Sequence, residues 1–173
     1  MLQTDRLILS HLSYADCAFI IELLNEPSFL EFIGDRGVRN ADDAREYLKK
    51  GAIDSYEKHG FGLYRVTQRD TRAAIGMCGL VLREEFDHPD LGFAFLERYW
   101  SNGYAYESAV AVLRHARDQL GLAIVIAMAD EDNTSSIALL DKLGFRFAEM
   151  VTMPGEAVEI CQFNLEFRQG AGP

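Results

Sequence analysis

The chain is poor in the features that mark an exported, disulfide-built or nucleic-acid-binding protein. Of its 173 residues only three are cysteines, Cys17, Cys78 and Cys161. They are odd in number and far apart, and no two form a C-x-x-C pair, so neither a disulfide framework nor a zinc site is supported. Nowhere do about 18 apolar residues run together, as a membrane span requires. The opening "MLQTDRLILS" places an acid and an arginine before any apolar stretch, unlike a secretory leader. A cytoplasmic protein with no membrane partner is the expectation, and a reducing compartment suits its thiols.

Positive charge is scarce as well, with 17 Lys and Arg against 27 Asp and Glu, a formal charge of −10. A nucleic-acid partner is unexpected, because gripping a phosphate backbone takes a basic face. Cationic partners such as amines or basic peptides are favoured instead, although surplus carboxylate also serves plain solubility. Several signature motifs are missing: no G-x-x-x-x-G-K-[ST], no G-x-G-x-x-G, no H-E-x-x-H and no G-x-S-x-G. Repeats, linkers and low-complexity segments are also lacking.

What is present is an apolar content of 49%, enough for one sizeable core. A single domain over residues 1–168 is expected, with a frayed tail at 169–173. "RLILSHL" reads as a strand, and Ser13 and Asp16 then have capping-box spacing at the head of a helix that Pro27 should stop. A second helix is expected from Asn40 to Gly60, with Asp42 and Asp43 at its positive end and Gly51 weakening its middle. "FGLYRVTQ" and "AAIGMCGLVLR" form a hairpin around "RDTR", and "LGFAFL" extends the sheet. From Tyr104 the period becomes 3.6, with Ala105, Ser108, Ala109, Val112 and Ala116 on one face and an end at Leu120 and Gly121. "LAIVIAM" reads as a doubly covered strand. Asn133 caps a shorter helix that ends at Gly144, and the last strand pair flanks "PGE". The whole is an α/β domain with a mixed sheet.

The stretch "RYWSNGYAYES" joins a strand to a helix, where several N–H groups lack partners and the dipole favours an anion. Ser101, Gly103 and Ala105 alternate with bulkier neighbours, a spacing that fits a phosphate cradle as well as a simple turn.

Four blocks, "DRLILSHLSYAD", "IGMCGLVL", "DLGFAFLERYWSNGYAYESAVAVL" and "DNTSSIALLDKLGF", occur in the order typical of the GNAT superfamily of acetyl-CoA-dependent N-acetyltransferases. The chain resembles that superfamily over almost its whole length, and most closely its ribosomal-protein N-terminal (alanine) acetyltransferase branch. The resemblance implies a central mixed sheet of about seven strands, splayed at the fourth and fifth and flanked by about four helices. It implies acetyl-CoA as cosubstrate, with no metal. The pantetheine arm would pair with the backbone of Phe93, Ala94 and Phe95, and Trp100, Ser101, Asn102, Gly103, Tyr104 and Ala105 would hold the pyrophosphate. Asn133 would help hold the pantetheine beside its capping role. Ser136 would meet the departing thiolate, with an ordinary helical serine as the alternative. The branch has Trp-Gly, a basic residue and Gly, then Tyr-Ala-Thr-Glu, where this chain has Ser101, Asn102 and Tyr106. One charge near a phosphate is thereby lost, weaker CoA binding is implied, and Arg98 is a candidate to compensate unless it is a plain surface arginine.

Acetyl transfer to an amine needs a neutral nucleophile, whereas α-amino groups with pKa near 8 and lysines near 10.4 are largely protonated at pH 7. Asp90, in "DLGF", ranks first as base, against the alternative of a solvated or ion-paired strand-end carboxylate. Glu84, Glu85, Glu159 and His88 follow. The Phe95 N–H is expected to serve the oxyanion, since fixed backbone donors suit that task. The acceptor is expected to be a primary amine, on a protein N-terminus or a small molecule, attacking directly in a ternary complex. A non-catalytic CoA-binding or partner-binding module is the alternative. Residues 25–60 and the last hairpin should set acceptor choice, with Phe29, Phe32 and Tyr47 either lining that wall or filling core. Exposed strands in the C-terminal half leave a homodimer open.

Overall fold

The computed structural model describes residues 1–152 and 159–167. The expected "PGE" turn, residue 168 and the 169–173 tail lie outside the described residues. Eight strands form one mixed sheet: β1 (Leu2–Gln3), β2 (Leu7–His11), β3 (Leu63–Gln68), β4 (Ala74–Val81), β5 (Asp90–Phe95), β6 (Ile124–Ala129), β7 (Arg146–Thr152) and β8 (Glu159–Glu166). Their order is β1-β2-β3-β4-β5-β6-β8-β7. Eight strands stand where about seven were expected, because Leu2 and Gln3 add a two-residue edge against Leu9 and Ile8. The expected fourth and fifth strands are therefore β5 and β6.

Six α-helices are present among the described residues, two more than about four, and local chemistry explains both additions. The capping box of Ser13 and Asp16 forms a 3₁₀ turn that runs into α1 (Cys17–Leu24). Pro27 does not merely stop that helix. It occupies the first position of α2 (Pro27–Phe32), where a missing N–H costs nothing. The expected helix from Asn40 divides into α3 (Ala41–Leu48) and α4 (Asp54–His59) around a π turn at Lys49–Ile53, which contains Gly51. Asn40 and Asp43 form its capping box, and Gly60 ends it with φ 76°. α5 (Tyr104–Asp118) ends two residues before the expected Leu120, and α6 (Thr134–Leu143) runs from Asn133 to Gly144 as read.

Period 2 divides the sheet into two apolar faces. Leu91, Phe95, Val112, Leu113, Val125, Leu140 and Phe145 belong to one cluster, packed beneath α5 and α6. Ile20, Leu23, Leu48, Met77, Ala94 and Leu96 belong to the other, beneath α1 and α3. Along β5 the side chains of Leu91, Phe93 and Phe95 thus face α5 and α6, while Asp90, Gly92 and Ala94 face α1 and α3.

The β3–β4 pairing relies on a close backbone approach at Gly79, where an added Cβ would lie 2.1 Å from the Gly62 carbonyl oxygen and 2.7 Å from Leu63 Cα. Backbone cannot yield as a flexible side chain does. Gly79→Ala is expected to cost about 1–3 kcal/mol in urea unfolding; a loss within experimental error would contradict this packing.

Candidate active site

Among the described residues β5 and β6 form the single parallel pair of the sheet, and they meet at one register position, Asp90 opposite Ile126. The Ile126 N–H donates to the Pro89 carbonyl at 2.9 Å. Beyond that point each strand is held only from its outer side, β5 by β4 over Gly76–Val81 and β6 by β8 over Cys161–Glu166. A gap opens between them towards the N-termini of α5 and α6.

Parity decides which β5 groups face the gap. The Leu96 N–H donates to the Ile75 carbonyl at 3.0 Å, so Leu96, Ala94 and Gly92 turn their backbone groups towards β4. Phe93 and Phe95 turn theirs into the gap. Ala94 therefore departs from the expected trio: its N–H and C=O serve the ladder with Met77, and only its small side chain borders the cleft. The Phe95 carbonyl is already occupied, accepting the Trp100 indole N–H at 2.8 Å. Trp100 is 46% exposed, so its indole anchors the loop while its ring stays open to the cleft.

The loop itself explains its composition. Gly103, before α5, has φ 78°, and Ser101 has φ 61° although it carries a side chain. Two left-handed residues on either side of Asn102 curve the chain into a concavity of amides. The N–H groups of Ser101, Asn102, Gly103, Tyr104, Ala105 and Tyr106 have no acceptor among the described residues; the first bond in this region is Glu107 N–H to the Gly103 carbonyl at 3.0 Å. At the α6 N-terminus Asn133 Oδ1 accepts from the Ser136 N–H at 3.0 Å, leaving its own amide NH₂ free of protein acceptors among the described residues.

A cleft of about 2160 Å³ follows the gap. Asp90, Phe93, Ala94, Phe95, Trp100, Ser101, Gly103, Tyr104, Ala105, Asn133 and Ser136 all border it, as do Phe29, Phe32 and Tyr47 on the opposite wall. Two expected residues stand apart from this lining. Arg98 extends to α1 and pairs with Glu22 at 2.7 Å, half exposed, so its charge is spent away from the cleft. Asn102 folds its side chain back onto the loop, donating to the Trp100 carbonyl at 2.9 Å and the Tyr99 carbonyl at 3.2 Å.

Cations unforeseen in the sequence stand nearer. Lys142 borders the cleft with its ammonium 4.4 Å from the centre of the Tyr106 ring. Arg6, behind the loop, donates to the Asn102 carbonyl at 3.0 Å and to Glu107 at 2.7 Å. No signal near "RYWSNGYAYES" could have found them, since both come from distant segments.

Asp90 is 4% exposed, and Arg83 Nε donates to its Oδ2 at 2.8 Å. Burial pushes its pKa above the ordinary carboxylate range, and the Arg83 charge and hydrogen bond pull the other way without cancelling it. Tyr47 nearby is likewise raised by burial, against the charges of Arg36 and Arg83. Glu84, Glu85 and Glu159 border the same cleft, whereas His88 does not. Among the described residues no three His, Cys, Asp or Glu side chains converge to hold a metal ion, and no helix is long and apolar enough to cross a membrane.

The α/β fold thus has a mixed sheet split at its parallel pair, with gap-facing amides at the split and two helix N-termini at its mouth. The sequence pattern of the acetyltransferase (GNAT) domain matches residues 6–146, and the chain belongs to that family. It is 28% identical over 147 residues to the uncharacterised N-acetyltransferase YoaA of Bacillus subtilis (strain 168), covering 84% of this chain and 82% of that protein. The crystal structure of an acetyltransferase from Agrobacterium tumefaciens str. C58 shares the fold with a TM-score of 0.82 at 22% identity, over 96% of this chain and 94% of the other. A Vibrio cholerae structure described as a candidate ribosomal-protein-serine acetyltransferase gives 0.76 at 19% identity, over 95% and 96% of the two chains. The protein is an N-acetyltransferase of the GNAT type.

The left-handed Ser101 costs about 1–2 kcal/mol relative to a residue at ease there. Ser101→Gly should therefore raise Tm by about 2–4 °C, part of the relief being lost to the freer unfolded chain. A lower Tm by scanning calorimetry would contradict the strained cradle.

Proposed function

We propose that the protein transfers an acetyl group from acetyl-CoA to a primary amine by direct attack in a ternary complex. The observation that carries this reading is the run of six N–H groups without acceptors from Ser101 to Tyr106, continuous with the gap-facing amides of Phe93 and Phe95. Free amides at a helix N-terminus suit a pyrophosphate, and an unpaired strand edge suits the amides of a pantetheine arm. In this reading Trp100, Ser101, Gly103, Tyr104 and Ala105 hold the pyrophosphate, with Lys142 as the nearby cation in place of Arg98. Phe93 and Phe95 share their gap-facing groups between the pantetheine amides and the acyl carbonyl, the Phe95 carbonyl being taken by Trp100.

Bound acetyl-CoA supplies the activated acyl carbonyl and a thiolate leaving group. The chain's own residues then divide the remaining work. A fixed N–H of Phe93 or Phe95 stabilises negative charge on the carbonyl oxygen. Ser136 borders the cleft with a hydroxyl that has no protein partner among the described residues, and in this reading it donates to the thiolate. Asp90 takes the amine proton. Its Oδ2 is held by Arg83 while Oδ1 has no protein donor among the described residues, and burial raises its proton affinity towards that of a working base.

Acceptor choice follows from the far wall. Glu31, Glu84 and Glu85 border the cleft, while Glu46, Asp54 and Asp90 there pair with Lys50, Lys58 and Arg83 on the same lining; the carboxylates left over, on a chain of net charge −10, favour a cationic amine. The ribosomal-protein N-terminal branch supplies one such acceptor, a protein α-amine, and small-molecule amines supply another.

Trp100 is the chain's only tryptophan, so its fluorescence reports the cradle directly. Saturable quenching by acetyl-CoA is expected, with CoA release when amines are added. No binding would overturn the reading, and binding without turnover on any amine would leave a CoA-binding module. For the base, kcat/KM should fall in acid with a midpoint above the ordinary Asp value of about 3.9. Asp90→Asn should lower it about 10²-fold or more and flatten that limb; an unchanged rate and profile would remove Asp90 from the role.

A further inference from the structure

We propose that Arg6 and the side chain of Asn102 are positioning residues that aim the cradle amides into the cleft, an inference that rests on the pyrophosphate reading of this loop. In a trans peptide the carbonyl and the following N–H point in opposite directions, so fixing one aims the other. Arg6 Nη1 donates to the Asn102 carbonyl at 3.0 Å from behind the loop. The N–H of Gly103, on the same peptide, is thereby turned away from Arg6, and Gly103 borders the cleft while Arg6 does not. The same logic holds two peptides earlier. Asn102 Nδ2 donates to the Trp100 carbonyl at 2.9 Å, which turns the Ser101 N–H the other way. The residue that stands where the branch has a cation thus aims an amide instead of offering a charge.

Arg6 is itself held in a rigid bracket. Its Nε donates to Glu107 Oε2 at 2.7 Å, Nη2 lies 2.7 Å from the same oxygen, and its backbone N–H donates to Glu107 Oε1 at 3.0 Å. The Thr4 hydroxyl also donates to Oε1, and the guanidinium lies 4.7 Å from the centre of the Tyr104 ring. Burial alone would raise the Glu107 pKa, but the bonds from Thr4 and Arg6 outweigh it and hold the carboxylate ionised. Five donors in one plane let Arg6 serve Asn102 and Glu107 together, which a lysine ammonium cannot do in this geometry. The bracket ties the β1–β2 turn to the first turn of α5, so the amides are set before any ligand arrives.

The test uses the full chain and two acetyl donors, acetyl-CoA and S-acetylpantetheine, which lacks the pyrophosphate. Arg6→Gln and Asn102→Ala should each raise KM for acetyl-CoA about tenfold, as expected for one lost charge-assisted or loop-setting bond, with kcat changed less than about twofold. With S-acetylpantetheine their kcat/KM should stay within about twofold of the parent, and Arg6→Lys should restore less than half of the acetyl-CoA loss. Unchanged KM for acetyl-CoA, or equal losses on both donors, would overturn the inference while leaving the cradle reading standing. Parent protein that binds no CoA by isothermal titration would overturn both. Should Arg6→Gln fail to fold, Asn102→Ala, exposed and touching only the loop, decides alone.

Discussion

The site depends on one backbone bond, from the Ile126 N–H to the Pro89 carbonyl at 2.9 Å, where β5 and β6 touch before they part. Buried strands elsewhere in the sheet spend their polar groups on neighbours, because an unpaired buried amide is costly. Here the ladder stops after one register position, and Phe93 and Phe95 are left facing a cleft instead of a strand. Their exposure is possible because the outer ladders, β4 with β5 and β8 with β6, are complete. The loop that leaves β5 then turns back, anchors Trp100 on the Phe95 carbonyl, and delivers its amides to the open end of the gap.

Charge in this molecule works at two ranges. A chain of −10 repels an anionic cosubstrate at a distance, and this repulsion is screened at physiological salt over about 8 Å. At contact the balance reverses, since two helix N-termini, a run of unpaired amides and Lys142 meet at the mouth of the gap. In the proposed reading the surplus carboxylates of the chain then serve the other reactant. Under that reading one surface serves an anion and a cation in sequence because fixed dipoles, and not net charge, hold the first.

Local chemistry was readable in the sequence where a few adjacent residues decide it. The caps at Ser13, Asn40 and Asn133 each follow from a polar side chain within reach of amides two or three positions on, and each is present. Pro27 was legible as punctuation but not as a beginning, because the same ring that ends one helix suits the first position of the next. The π turn at Gly51 and the two-residue strand β1 depend on packing that no periodicity records. At the site, strand position was legible but parity was not: whether Ala94 or Phe93 faces the gap depends on how β5 registers against β4. The choice of arginine was out of reach for a similar reason. Arg98 lies in the loop's own sequence yet turns to Glu22, while Arg6, nearly a hundred residues away, is folded against it.

Residue-resolved amide hydrogen exchange by NMR, with and without saturating acetyl-CoA, tests the central claim most directly. The account predicts that the amides of Ala94 and Leu96 are protected in both states, whereas those of Phe93, Phe95 and Ser101 to Tyr106 exchange freely alone and become protected on binding. Phe93 and Phe95 amides already as protected as Ala94 in the free protein, or cradle amides unchanged at saturation, would contradict it.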